Sequence, residues 1–321
     1  MSTFPQVLKQ SEKAPVMLWG MTSKQRKQYE RDKAPEPIIL TERDEEIIRA
    51  VGRFRFLRSD QITKLFGGSK AAIVRRLGKL FHHGYLARPK RINVQIAIPG
   101  YKGMVYALGP SGRKYLTSQG VLYSYRQQEK EVKILYLAHT LKVADFMIDL
   151  QLSLPDDVEL YHGEEFRVLF NAKRLSNWRV PIEYGDEDLT IGVIPDYVFA
   201  LVRDEEVCVY CLEMDRGTMP VYREKPIQTS FVRKIIAYHE TWKTGFAAEN
   251  FDWKRFRVIT VTSSKERNAH LVLACSRTCR NKGGEKLFLF SSEQEVRDCG
   301  NVFTHLWSTG KGGEASEQLL S

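Results

Sequence analysis

Three carboxylates near the middle of the chain have a spacing that is suited to chemistry. Asp196 follows a proline in the extended run IGVIPDYVFALV, and Glu213 and Asp215 end the buried run VCVYCLEMD. Residues two apart on a strand point to the same face, so Glu213 and Asp215 repel each other unless a cation, a proton or a basic partner relieves the charge. The sequence therefore predicts a site at the end of this strand.

Two kinds of partner fit these carboxylates. Acidic side chains from adjacent antiparallel strands can converge at one sheet edge and bind Mg²⁺ or Mn²⁺, which activates water and stabilises charge on an attacked phosphate. In that case Asp196, Glu213 and Asp215 are the metal ligands. The alternative is a purely structural cluster in which Glu213 and Asp215 pair with arginine and hold the loop after the strand. The candidate partners for this pairing are Arg216, Arg223 and Arg233.

The chain has the composition of a globular protein with two domains. It has 321 residues, of which 43% are hydrophobic, enough to bury a substantial core. No run of 18 apolar residues is present and the N-terminal stretch lacks an apolar core segment, so we expect a cytoplasmic protein without a membrane span. The five cysteines favour reduced thiols over disulfides. No zinc site is expected, because Cys208 and Cys211 lie three apart on a strand and face opposite sides.

The positive charge is concentrated in the first third of the chain. Residues 1–120 contain 23 Lys and Arg against 9 Asp and Glu, a net charge of +14, whereas residues 121–321 carry 26 against 30, a net charge of −4. Lys and Arg that neutralise phosphates release counterions and supply most non-specific affinity for nucleic acid. The asymmetry favours a polyanion-binding N-terminal segment over charge that serves only solubility.

Residues 39–122 have the pattern of a winged helix-turn-helix. Thr41 and Asp44 predict a capping box, and three helices are expected before a basic β-hairpin within residues 85–108. The third helix would enter the DNA major groove, and the hairpin would approach phosphates. The predicted DNA-binding residues are Lys70, Arg75, Arg76 and Lys79 on the helix, and Lys90, Arg91 and Lys102 on the hairpin. The alternative is a dimerisation or docking module of the same shape.

The second domain is predicted to be α/β, with the element order αβββαβ. A long helix from about residue 129 to 152 comes first, and its His139 is interpreted as a hydrogen-bonded core residue. The runs VELYHGEEFRVLF, IGVIPDYVFALV and VCVYCLEM are predicted strands, followed by a helix, the strand RFRVITVT, and a further helix and strand.

This order, with Pro195-Asp196 on the second strand and Glu213 on the third, resembles the PD-(D/E)XK nuclease superfamily. The resemblance implies a restriction-endonuclease-like fold and a catalytic edge formed by Asp196, Glu213 and Asp215. In that superfamily a lysine two residues after the glutamate helps to activate water. Here Asp215 occupies that position, and Lys234, one helix later, can supply a displaced ammonium if it faces the same edge.

A wider stretch, residues 39 to 245, resembles the replication-relaxation family of plasmid and mobile-element proteins. The resemblance rests on four motifs: LTERDEEIIRAVGRFRFLRSDQITKLFG, VYALGPSGRKYL, PDYVFAL and LEMDRGTM. It marks Asp196, Glu213, Asp215 and Arg216 as motif positions. It implies a DNA-binding protein of plasmid or mobile-element replication, relaxation or transfer.

The sequence therefore predicts a flexible basic arm (1–38), a winged-helix domain (39–122), a nuclease-like domain (123–305) and a flexible tail (306–321). Because Asp215 replaces lysine, we expect the nuclease-like domain to be weak or inactive. The alternative is a Mg²⁺-dependent nickase that uses Lys234. The implied partners are double-stranded DNA, replication or mobilisation proteins and, as one option, a second copy of the chain.

Overall fold

The computed structural model describes residues 29–89, 103–121, 134–171, 177–184, 187–223, 228–313 and 315–320. Within these ranges the chain is mixed helix and sheet, which confirms the predicted α/β class. The N-terminal unit spans residues 39–121, and the C-terminal unit spans residues 134–320.

The described part of the N-terminal unit contains four helices and three short strands. The helices are α1 (Glu42–Phe54), α2 (Ser59–Phe66), α3 (Lys70–His82) and α4 (Pro110–Ser118). The strands are β1 (Leu57–Arg58), β2 (Leu86–Ala87) and β3 (Val105–Leu108), and they form an antiparallel sheet in the order β1-β3-β2. Three helices followed by the antiparallel pair β2–β3 are therefore described, with the additional strand β1 pairing alongside β3, whereas residues 90–102 of the predicted hairpin lie outside the described ranges.

Local sequence explains why α1 and α3 form where they do. Thr41 and Asp44 make the predicted capping box, in which the Thr41 hydroxyl accepts from the Asp44 backbone and the Asp44 carboxylate accepts from the Thr41 backbone. On α3, Ile73, Leu77 and Leu80 recur at helical spacing and are buried. The remaining face of α3 is left to solvent.

The C-terminal unit alternates helices and strands. Its helices are α5 (Ile134–Ser153), α6 (Glu164–Leu169), α7 (Phe231–Lys243), α8 (Phe246–Phe251), α9 (Lys265–Cys279) and α10 (Glu293–Asp298). Its strands are β4 (Glu159–His162), β5 (Trp178–Tyr184), β6 (Glu187–Val193), β7 (Tyr197–Arg203), β8 (Glu206–Asp215), β9 (Phe256–Thr262), β10 (Phe288–Ser292), β11 (Trp307–Thr309) and β12 (Ser316–Glu317).

Seven strands of this unit form one mixed sheet in the order β12-β11-β10-β9-β8-β7-β4. β4, β7 and β8 are antiparallel neighbours, whereas β8, β9 and β10 run parallel. The elements α5, β4, β7, β8, α7 and β9 follow the predicted αβββαβ order, with the separate β5–β6 hairpin inserted after β4.

The two faces of the sheet pack against different layers. On β8, Tyr210 and Leu212 belong to the core shared with α5, whereas Val209 and Cys211 belong to the core under α7 and α9. Strand alternation therefore places Glu213 on the α7–α9 side. All five cysteines are described and are free thiols, and Cys208 lies in the opposite core from Cys211.

Three predicted features of the C-terminal unit differ in the structure. The first predicted strand ends at His162, because Gly163, with φ 61°, turns the chain into α6. The second predicted strand is two strands, since the chain breaks at Ile194-Pro195-Asp196 between β6 and β7, and β5 was not anticipated. The predicted first helix is described only from residue 134 onward.

Both predicted flexible ends contain ordered contacts. In place of a flexible tail at 306–321, β11 and β12 extend the sheet, because Trp307 is fully buried in the core that α5 shares. Of the predicted arm at 1–38, residues 1–28 lie outside the described ranges. Arg31 donates to the carbonyls of Phe81 (2.9 Å) and Leu86 (3.0 Å), which ties this segment to the N-terminal unit.

The N-terminal unit is docked on α5 through polar and apolar contacts. The Arg58 guanidinium meets the Asp145 carboxylate in two hydrogen bonds of 2.7 and 2.9 Å. The Gln61 amide donates to the Leu141 carbonyl (2.8 Å) and to Asp145 (2.7 Å). One continuous apolar core contains residues of α1, α2, α3, α5 and the sheet.

Among the helices that the structure describes, none has the length and apolar character that crossing a membrane requires.

Candidate functional site

The acidic site lies where β7 begins and β8 ends. Asp196 sits in the break before β7, where its backbone N–H donates to the Leu212 carbonyl (3.0 Å) and its Oδ2 accepts from the Met214 N–H (2.8 Å). The Pro195-Asp196 turn thus continues the pairing with β8 after the strand has broken. A cavity of about 150 Å³ lies at this edge, and Asp196, Glu213 and Asp215 all line it. The structure therefore brings the three predicted carboxylates to one place.

Glu213 is the most deeply buried member of the site. Its Oε2 lies 2.5 Å from the Lys234 ammonium, and its Oε1 accepts a hydrogen bond of 2.8 Å from the Tyr238 hydroxyl. Burial raises the pKa of Glu213 to about 7, with the nearby Asp196 charge adding to the rise while Lys234 opposes it. The carboxyl is therefore close to gaining a proton at neutral pH.

Lys234 reaches this edge from the first turn of α7. Ser230 caps that helix by accepting from the Arg233 backbone N–H (3.2 Å), which fixes where the first turn begins. Burial lowers the pKa of Lys234, but the charges of Glu213 and Asp196 outweigh burial and leave that pKa above its ordinary value. Lys234 therefore remains an ammonium, and it faces the acidic edge as the sequence hypothesis required.

Asp215 is engaged by an arginine that the sequence did not single out. The Arg267 guanidinium on α9 makes two hydrogen bonds with its carboxylate, of 2.7 and 3.2 Å, and the Gly217 N–H adds a third of 3.2 Å. Both side chains of the pair are nearly buried. Arg267 also donates to the Met219 carbonyl (2.7 Å), so it fixes the loop after β8. The sequence also allowed a structural cluster in which Asp215 pairs with an arginine. Such a pair is present, but the arginine is Arg267 and not Arg216, Arg223 or Arg233.

His139 is a residue of the site that sequence reasoning missed. It was interpreted as a core histidine, yet its Nε2 lies 2.9 Å from Asp196 Oδ1. Burial raises the pKa of Asp196, but the bond to His139 and the charges of His139 and Lys234 outweigh burial and hold that pKa below its ordinary value. Only the packing of α5 across the sheet brings these residues together, and no sequence spacing connects them.

The donor set does not fit a divalent metal as it stands. Mg²⁺ takes oxygen ligands from carboxylates that are otherwise available to it. Here Asp196 is bound by His139, Glu213 by Lys234 and Tyr238, and Asp215 by Arg267. Among the described residues, no group of three His, Cys, Asp or Glu side chains is arranged to hold a metal ion. A metal would have to displace these partners, and the binding of Mg²⁺ or Mn²⁺ remains a prediction.

The second predicted site is the outer face of α3. Lys70, Arg75 and Lys79 are exposed there, and α3 contains no acidic residue. Arg76 differs from the prediction, because its guanidinium donates to the buried Asp44 carboxylate (2.6 Å) and to the Ile39 carbonyl (2.7 Å). Its role is therefore to tie α3 to α1.

The remaining predicted DNA-binding residues are not tested by the structure. Lys90, Arg91 and Lys102, on the predicted wing, lie outside the described residues.

The fold and the site define a mixed α/β protein whose acidic edge is neutralised by its own cations and whose N-terminal unit carries a basic helix. The family model for replication-relaxation proteins matches residues 48–252, well over half of the chain. The chain belongs to the replication-relaxation family, and this membership points to a role in replication or relaxation of mobile elements. Comparison with curated proteins gave no match, and comparison with solved structures gave none.

The raised pKa of Glu213 leads to a stability prediction. A carboxyl whose pKa is higher in the folded than in the unfolded state contributes stability that is complete below about pH 4 and is lost as the pH rises through about 7. Glutamine at this position does not titrate. Relative to wild type, Glu213→Gln should therefore gain unfolding free energy between about pH 5 and pH 8, by up to about 3 kcal/mol. Urea unfolding at several pH values measures the difference.

The matched control for this prediction is Glu206→Gln, the same change at the exposed start of β8. Because this side chain is exposed, its substitution should change the unfolding free energy much less than Glu213→Gln does over the same pH range. A constant offset of Glu213→Gln from wild type over this range would contradict the assigned direction of the Glu213 pKa.

The Asp215–Arg267 pair leads to a second prediction. Arg267→Met leaves a nearly buried carboxylate without its cation, which costs about 3 kcal/mol or more of unfolding free energy. The double variant Asp215→Leu/Arg267→Met should recover much of that loss, because an apolar pair replaces a buried ionic one. Urea unfolding of both variants measures the costs. A loss below about 1 kcal/mol in Arg267→Met would show that the pair does not hold the loop.

Proposed function

We propose that this chain is a DNA-binding protein of plasmid or mobile-element replication, relaxation or transfer, acting in the cytoplasm. Its N-terminal unit is a winged helix that binds duplex DNA, and its C-terminal unit is a nuclease-like domain that is weak or inactive in hydrolysis. Replication or mobilisation proteins are the partners that this role requires. The observation that carries the proposal is the outer face of α3, where three basic side chains are exposed on a helix without acidic residues.

The geometry of α3 supports major-groove binding. Its N-terminal half also exposes small apolar residues, Ala71, Ala72 and Val74, between the basic ones. Base edges are read by side chains of a helix lying in the groove, and apolar side chains contact the thymine methyl group. Lys70, Arg75 and Lys79 flank this strip and are suited to the phosphates on either side, which fix the register of the helix.

Weak or absent hydrolysis is supported by the pairing at the acidic edge. General-base assistance from a well-placed group is commonly worth about 10²- to 10⁴-fold in rate. Asp215 stands where the nuclease superfamily has its lysine, and it is bound by Arg267. Because that lysine is absent and the carboxylates already have partners, the edge is suited to a structural role beside bound DNA and less suited to hydrolysis.

A second candidate function is a Mg²⁺-dependent nickase, and the position of Lys234 favours it. Its ammonium lies 2.5 Å from Glu213 and lines the same cavity as Asp196. In this alternative, Lys234 replaces the missing lysine from a neighbouring helix. The metal would be held by Asp196 and Glu213 and would supply an activated water.

Neutralising the exposed face of α3 should weaken binding to duplex DNA. For the triple variant Lys70→Ala, Arg75→Ala and Lys79→Ala, we expect the free energy of DNA binding to weaken by a few kcal/mol. The magnitude of the slope of log K against log salt should fall by about three, since each phosphate contact contributes about 0.9. Fluorescence anisotropy at several salt concentrations measures both quantities. Arg76 is kept, because its loss would unpair the buried Asp44.

The control for the α3 variant removes the same number of charges from the other unit. Lys254, Arg280 and Lys282 are exposed there, and their triple alanine variant should bind as wild type does. Equal binding and an unchanged salt slope in the α3 variant would exclude α3 as the recognition helix.

Nicking of supercoiled plasmid separates the two candidate functions. With Mg²⁺ or Mn²⁺, the wild type should produce no more nicked circles than Asp196→Ala, because the acidic edge lacks a free ligand set. Agarose-gel electrophoresis measures the conversion. Wild-type nicking that is lost in both Asp196→Ala and Lys234→Ala would establish the nickase and refute the inactive domain.

A further inference from the structure

A cleft separates the N-terminal unit from the acidic edge of the sheet. It has a volume of about 470 Å³ and lies between the end of α1, the start of α5, the turn from β4 into α6 and the Pro195-Asp196 break. His139 and Asp196 line both this cleft and the smaller cavity that contains Glu213. The cleft therefore opens onto the acidic site from the side of the N-terminal unit.

Arginines give the cleft the charge of a polyanion site. Four of them line it, at positions Arg49, Arg53, Arg55 and Arg167. Of the carboxylates that line it, Glu165 is paired with Arg53, and Asp196 with His139. Arg49 makes no hydrogen bond or ion pair with another described residue. The lining contains four arginines against three carboxylates, Glu164, Glu165 and Asp196, so it has an excess of positive charge.

Arg53 is held in place by a hydrogen bond to a neutral histidine. Its Nη1 lies 2.9 Å from His162 Nε2, and burial followed by the Arg53 charge holds the pKa of His162 well below its ordinary value. The imidazole is therefore uncharged at neutral pH and accepts this hydrogen bond without adding charge of its own. This contact orients the guanidinium on the wall of the cleft.

An exposed aromatic ring stands beside these cations. Tyr136 is 43% exposed, and Arg55 binds it through a hydrogen bond of 2.6 Å to the phenol and a guanidinium carbon 4.9 Å from the ring centre. Ile194, 64% exposed, lines the cleft as well. Basic side chains that follow the backbone, together with an aromatic ring on which a base can stack, are the features of single-strand nucleic-acid sites.

From these features we propose that the cleft binds one strand of DNA, with phosphates on the arginines and a base stacked on Tyr136. The inference rests on the proposed DNA-binding function and adds a second, separate site to it. The volume of the cleft is in the range of small-ligand sites and accommodates part of one strand. A duplex is too large for it, since its major groove alone is about 12 Å wide. Duplex on α3 and a single strand in the cleft are therefore engaged by different surfaces.

The test measures binding of the full-length protein to a fluorescein-labelled oligothymidylate and to a labelled duplex by anisotropy. Arg49→Glu should weaken single-strand binding about tenfold or more and leave duplex binding within twofold. The matched control is Arg277→Glu, a charge reversal on the exposed face of α9, which should change neither. Each variant is first shown to melt within a few degrees of wild type.

Substitutions of Tyr136 separate stacking from a general loss of charge. Tyr136→Phe keeps the ring and should retain single-strand binding, whereas Tyr136→Ala should lose about tenfold. An α3 triple variant that loses duplex binding but keeps single-strand binding would support two separate surfaces.

Several results would overturn the inference. Wild type that binds duplex but not oligothymidylate would refute the cleft site while leaving the proposed function intact, and absence of both would refute the proposed function itself. Equal single-strand binding by wild type and Arg49→Glu would exclude the cleft. Tighter binding of an oligouridylate of the same length would assign the occupant to RNA and contradict the proposal for DNA.

Discussion

The structure depends on neutralising a carboxylate that is buried at the end of a central strand. Glu213 is held between neighbouring strands and α7, where an ionised side chain without partners would carry a large desolvation penalty. The Lys234 ammonium and the Tyr238 hydroxyl, both on α7, satisfy its two oxygens. This requirement fixes the rotation of α7 about its axis, because both partners must face the strand end at once.

The same requirement explains the neighbouring elements. Asp215 lies two residues further along the strand on the same face, and Arg267 on α9 compensates it while also binding the loop carbonyl of Met219. Asp196 lies at the break before β7, and His139 reaches it from α5 on the other side of the sheet. Three helices are therefore oriented by one cluster of carboxylates. A buried ion pair contributes little net stability but strongly disfavours arrangements that leave one charge unpaired.

Sequence reasoning predicted what local patterns and nearby residues determine. The capping box at Thr41 and the apolar face of α3 follow from short-range spacing, and the α/β class follows from the order of periodic segments. His139 and Arg267 were missed because their roles depend on contacts across the fold. The ordered end of the chain was missed for the same reason, since Trp307 is buried only by the core that α5 completes.

The break at Pro195-Asp196 was hidden by its composition. The run IGVIPDYVFALV is apolar on both sides of the break, so its periodicity gives no sign that β6 belongs to a separate hairpin. Proline lacks the N–H that a central strand needs, so Pro195 is the residue in this run from which the break could have been predicted. The backbone of Asp196 nevertheless pairs with Leu212, which keeps its carboxylate at the edge that the uninterrupted strand would have given.

The internal cations also bear on how DNA can approach this edge. Three carboxylates without partners would repel a phosphodiester, and in nucleases that repulsion is relieved by bound metal. Here Lys234 and Arg267 offset two of the negative charges, and His139 donates to the third carboxylate. α5 also carries Asp145, which binds Arg58 of the N-terminal unit, so one helix contacts both the acidic edge and the unit that contains α3. In the DNA complex proposed above, a phosphate at the acidic edge would therefore meet paired carboxylates and would need no metal ion to screen them, as long as these pairs remain intact.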